Sequence, residues 1–197
     1  MRTTAAPLSS ELEVALAPVV AYQRLLAGST PAKAGPHVRL LRRLAMIVLV
    51  IAVMSPIMAV QRVTVGLVAT AALSWSFVLA LQTIVALAVI ASAPARKVAT
   101  LDALDLWFAG HVPYSLWMVC AFGLMAAMTT GRDRLLIASA VVPAIWTAFI
   151  VSAFCRTVLG TTASGARWRA AAHVVGIWSM TASYIAWAAG GWFQLLP

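Results

Sequence analysis

Charge is scarce in this sequence. Only 10% of its 197 residues are Asp, Glu, Lys or Arg, against about 25% in ordinary soluble domains. Hydrophobic residues reach 63%, and the mean hydropathy is +0.96. One water-surrounded core of this size could not hide so much apolar side chain. The surplus has to face hydrocarbon, which excludes a soluble globular protein and points to the bilayer. Cysteine is nearly absent as well. Cys120 and Cys155 both fall within apolar runs, which argues against a disulfide framework and leaves two small hydrophobes. HExxH, a Walker loop, GxSxG and paired CxxC are all missing, and with them the signatures of the commoner hydrolases and redox enzymes. A metal site from Asp105, His111 and Cys120 fails because offsets of six and nine do not return to one helical face. The chain is therefore expected to be no enzyme and to hold no cofactor.

What charge there is has one dominant sign: fourteen Lys and Arg against five Asp and Glu, a net +9. Such an excess often marks nucleic-acid binding. Here it sits in clusters between apolar runs, as membrane orientation requires, so the expected partners are the lipid bilayer and other membrane subunits, and no nucleic acid. Five apolar segments follow one another: Leu44 to Val60, Val63 to Ala93, Ala103 to Met128, Leu135 to Phe154, and Ala170 to Leu196. None has Lys, Arg or Glu in its interior, and the alternation of a membrane β-barrel is missing. The fold class is all-α, a polytopic transmembrane helical bundle of about five spans. Eleven basic residues lie in the N-terminal tail and the second and fourth connections, against Arg62, Arg132 and Arg134 opposite. That asymmetry predicts a cytoplasmic N-terminus and, with five crossings, an outer C-terminus; the expected location is a bacterial inner membrane.

The chain divides into a cytoplasmic tail, residues 1–43, and a five-helix transmembrane domain, residues 44–197. No short apolar region precedes a small-residue cleavage site in the first forty residues, so no cleavable signal peptide is expected. Residues 1 to 8 are expected to be disordered. Ser10 and Glu13 form a capping box opening an amphipathic helix on the bilayer surface or against the bundle, with Pro18 bending it or delaying its start. Gly28 to Gly35 ends it, and Arg39, Arg42 and Arg43 form a basic collar. Pro56, Pro113 and Pro143 should kink three helices. Small residues at helical spacing (Gly66 and Thr70, Gly123 and Ala127, Ala186 and Gly190) suit close helix approach. Trp107, Trp117, Trp168 and Trp192 fall near segment ends, where indole favours the headgroup boundary, whereas Trp75, Trp146 and Trp178 belong inside.

Polar side chains in hydrocarbon are candidates for function. Asp102 and Asp105 share one face of the third helix. They could bind a cation or relay a proton, or simply favour a helix N-terminus with Arg96 and Lys97 in reach. His111 lies deeper in the same helix and His173 near the start of the fifth, at expected depths of about 12 Å and 5 Å. Ser74, Ser76, Gln82 and Thr83 could line a polar path or bond their own backbone. Three roles follow. The first is a non-catalytic scaffold or accessory subunit of a membrane complex. The second is a small transporter or permease subunit using Asp102, Asp105 and His111. The third is a redox anchor holding haem between His111 and His173.

Three stretches carry a family resemblance. Leu16-Ala17-Pro18-Val19-Val20-Ala21-Tyr22-Gln23-Arg24-Leu25 is similar to the proline-then-aromatic opening before the first span of bacterial Yip-family proteins, the Ypt/Rab-interacting five-span membrane proteins. Ala109-Gly110-His111-Val112-Pro113 sits where that family has a small or aromatic residue ahead of a proline in its third span. Phe154-Cys155-Arg156-Thr157-Val158-Leu159-Gly160, with Ala166 to Ala170, resembles its basic loop before the last span. The resemblance implies a bundle with a cytoplasmic N-terminus and a trafficking, scaffold or permease-like role. The acidic-tyrosine-glycine-proline motif of the eukaryotic members has no counterpart, so Rab binding is not implied.

Overall fold

The computed structural model describes residues 8–27, 35–93, 96 and 98–191. Residues 1–7, Lys97, Trp192 and the end of the fifth segment lie outside them, as does most of the Gly28 to Gly35 stretch. Every described element is an α-helix: α1 (Leu8–Leu16), α2 (Pro18–Leu26), α3 (Pro36–Val60), α4 (Val65–Ala91), α5 (Thr100–Ala109), α6 (Val112–Ala127), α7 (Arg132–Thr157) and α8 (Ala163–Gly191). Among the described residues, four stretches are long and apolar enough to cross a membrane: Pro36–Val60, Val65–Ala91, Thr100–Ala127 and Ile137–Thr157. At 1.5 Å per residue, the 25 residues of α3 span about 37 Å, more than the roughly 30 Å of hydrocarbon.

Helix boundaries differ from the apolar segments for local reasons. α3 begins at Pro36, not Leu44, because Pro36 suits a first helical turn and polar residues extend a helix beyond its apolar run. α8 likewise begins at Ala163, seven residues before Ala170. The third segment is broken. Pro113 cannot donate the bond that would close on Ala109, and Gly110 and His111 instead bond back three residues, to Trp107 and Phe108. Pro56 and Pro143, by contrast, sit within uninterrupted helices. Pro18 does not bend a single N-terminal helix but starts a second one, in the first helical turn.

α3 packs on α4, α5 and α6; α7 packs on α6 and α8; and α4 touches α8. Short α5 sits in the middle, with every residue from Ala103 to Ala109 buried, and a helix covered on all sides needs neighbours all round. α1 and α2 are part of this packing. α2 lies along α7, and α1 meets α5 and α6. Val14, Ala15, Ala21 and Tyr22 are buried. The break at Pro18 frees the Ala15 carbonyl from helical bonding, and Trp146 Nε1, half-way along α7, donates to it at 2.8 Å. Of the expected small-residue contacts, Gly66 meets no neighbour and Gly123 only Met54. The close approach is at Gly110 instead, where an added Cβ would lie 2.6 Å from Ile150 Cγ2 and 3.1 Å from Tyr22 Oη.

Candidate functional site

Two polar clusters stand out in this apolar chain. The first is ionic. Residues 39 and 43 share a face of α3 because they are four apart, and both guanidinium groups reach across to α5. Arg39 donates from Nε to Asp105 Oδ2 at 2.9 Å and from Nη2 to Asp102 Oδ1 at 3.2 Å. Arg43 bonds Asp105 Oδ1, donates to the Asp105 carbonyl at 3.0 Å, and reaches Glu11 of α1 at 3.0 Å. Asp105 retains only 3% side-chain exposure. The two aspartates are thus brought together as expected, but their partners come from the collar on α3. Arg96 turns to Thr100 and the Ile90 carbonyl instead.

The second cluster lies at the break in the third span. His111 Nε2 is 2.9 Å from Gln82 Oε1 on α4, within hydrogen-bond distance. His173 is ten positions into α8, about 15 Å along its axis, and His111 is eleven positions beyond the start of α5. Because α8 starts before its apolar run, His173 lies farther along its helix than the 5 Å expected. Both histidines line one cavity of about 50 Å³, together with Tyr22, Gly110, Tyr114, Thr147, Trp178 and Thr181. Trp107 is buried there too, edge-on to His173 at 4.9 Å and to Phe154 at 5.2 Å, rather than at a headgroup boundary. Trp117 and Trp178 close the far side against Tyr114.

Among the described residues, three buried side-chain atoms have no hydrogen-bond partner: Tyr22 Oη, His173 Nδ1 and Thr181 Oγ1. All three residues line this cavity. Burial holds the Tyr22 phenol above its ordinary pKa, against the opposing pull of Arg43, so it stays protonated and able to donate. Neither Tyr22 nor Thr181 was singled out in the sequence as a site residue: Tyr22 entered only within the N-terminal stretch and its family resemblance, and Thr181 only within the fifth apolar segment. The visible signal was polarity: Thr181 falls inside an apolar stretch. Of the polar residues of α4, Ser76 and Thr83 bond their own backbone, whereas Gln82 faces the cavity. Asp102 and Asp105 do not line it.

Outside the clusters, large apolar side chains stand exposed along the long helices, with Leu73 at 78%, Ile137 at 73% and Phe149 at 69%. Helices of this length with such outer faces define an integral membrane protein, an all-α bundle embedded in lipid. Comparison with protein-family models, with curated proteins and with solved structures finds no match.

Proposed function

We propose that this chain is a small transporter or permease subunit that binds a polar solute inside its own bundle, at the break in the third span. The supporting observation is that Tyr22, His173 and Thr181, which line one cavity, each carry a buried side-chain polar atom without a hydrogen-bond partner. Each such group in hydrocarbon costs several kcal/mol by general estimate, about 1–3 in proteins. Three at one spot are easiest to understand as a site that a ligand completes. The interrupted helix beside it fits the same reading, since irregular backbone at membrane depth is tolerated where it lines a cavity. In this proposal α8 makes the fifth crossing. The charge asymmetry argues for a cytoplasmic N-terminus, and the resemblance to bacterial Yip-family proteins for a bacterial inner membrane. The site residues are His111 and His173 with Tyr22 and Thr181, while Asp102 and Asp105 hold α5 to α3. Haem is not carried forward, because the cavity is far smaller than a porphyrin and His111 Nε2 is engaged by Gln82.

The test is solute uptake into proteoliposomes containing the full chain. Uptake above protein-free vesicles, falling at least tenfold with Tyr22→Phe combined with Thr181→Val, is expected. No uptake of any solute above the protein-free control would remove the proposal. The scaffold or accessory-subunit reading has a different observation in its favour. The best spanning windows are only 22% to 44% buried within the chain, which leaves broad apolar faces for neighbouring subunits. Native mass spectrometry from mild detergent tests it, and an isolated monomer would count against it. Yip-family membership is a further proposal, resting on the three stretches quoted above.

A further inference from the structure

We infer that the solute is small and uncharged, a hydrogen-bonding molecule of the amide or short-polyol kind. The inference rests on the permease reading. Size comes first. A cavity of about 50 Å³ has room for a few water-sized units, or a molecule of about three to six non-hydrogen atoms. Charge comes next. Among the described residues, no Asp, Glu, Lys or Arg lines the cavity. Of the charges nearest in sequence to its walls, Asp105 is matched by Arg39 and Arg43 and Arg24 by Glu13, Arg169 bonds Ser92, and Arg156 stands exposed on the surface. An ion entering would lose its hydration without meeting a counter-charge, which is the costliest transfer in such a medium.

Hydrogen-bond character narrows the class. Two of the three unpartnered atoms are hydroxyl oxygens, each able to donate and accept, and the third is an imidazole nitrogen that does one or the other. A ligand with donors and acceptors on adjacent atoms satisfies all three, as amides and vicinal alcohols do. A purely apolar molecule satisfies none.

Charged and neutral molecules of equal shape separate the possibilities. The full chain in proteoliposomes is tested for entry of urea against guanidinium, and of acetamide against acetate, by osmotic swelling and by radiolabel. Urea and acetamide are expected to enter at least tenfold faster than through protein-free vesicles, with guanidinium and acetate at the protein-free rate. Thr181→Val and Tyr22→Phe should each cut urea entry several-fold. Thr83→Val, which removes a hydroxyl bonded to its own helix, should leave it unchanged. Entry of guanidinium or acetate as fast as its neutral counterpart would overturn the inference and leave the permease reading standing. Entry of none of the four, with another solute carried, would also overturn it. No carriage of any solute would remove both. Unchanged urea entry in correctly folded Thr181→Val and Tyr22→Phe proteins would show that the solute passes elsewhere and overturn it too.

Discussion

The ionic cluster between α3 and α5 and the neutral cluster at the Gly110 break are the two polar regions of one apolar bundle, and they are satisfied in opposite ways. Around Asp105, both carboxylate oxygens and the backbone carbonyl are bonded by Arg39 and Arg43, and Arg43 continues to Glu11. Around His173 and Thr181, polar atoms are buried with no partner. A full set of internal bonds describes a group that holds helices together. A buried group left unbonded next to a cavity is where we propose a site. Charge in this chain therefore serves architecture, and neutral polarity is where binding is proposed.

That contrast can be broken most severely at Asp105. Replacing Asp105 with Ala removes the carboxylate that Arg39 and Arg43 share, leaving them only Asp102 and Glu11, and removing one partner of a buried pair costs about 3–5 kcal/mol. A large drop in thermal unfolding temperature in detergent is expected, with the α1–α2 hairpin exposed to protease. An unchanged melting curve would contradict a structural role for the cluster. Next comes Gly110→Val. Even one added carbon would meet Ile150 at 2.6 Å, so Ile150 or Tyr22 must shift, with a loss of about 1–3 kcal/mol from overpacking. Tryptophan emission from the cavity wall should change with it, and a variant as stable as the parent would refute the close contact.

Thr181→Val sharpens the comparison, because its stability change should have the reverse sign. It removes a buried hydroxyl that has no partner, so unfolding should become harder by up to about 1 kcal/mol while solute entry falls. Destabilisation on the scale of Asp105→Ala would mean that the hydroxyl is structurally bonded. The smallest effect belongs to Arg24→Ala. Its pair with Glu13 is exposed on both sides, at 64% and 44%. Such pairs contribute about 0–1 kcal/mol, so chemical denaturation midpoints should coincide within error.

Much of this was legible in the residues. The apolar runs located the long helices, Pro113 foretold an irregularity in the third span, and His111 and His173 were singled out as polar groups in apolar surroundings. Ser76 and Thr83 follow the rule that such hydroxyls bond their own backbone. Other features were illegible because they depend on residues far apart in sequence. Arg39 and Arg43 looked like a collar for the membrane surface, and only the packing of α3 on α5 turned them toward Asp102 and Asp105. Trp107 looked like a boundary residue, yet it lies in the part of α5, Ala103 to Ala109, that is buried at every position. His173 seemed shallow because a hydropathy boundary marks where the apolar run begins, whereas the helix starts earlier.

The sequence by itself determined that this protein lives in a membrane and is helical, because hydrocarbon tolerates long backbone only when its hydrogen bonds close within each segment. Tertiary structure alone decided what the polar residues do. Whether an arginine faces headgroups or an aspartate, and whether a tyrosine near the N-terminus meets lipid or a cavity between α4, α7 and α8, depends on which helices are neighbours. Periodicity tells which residues share a face, but it carries no information about what that face will touch.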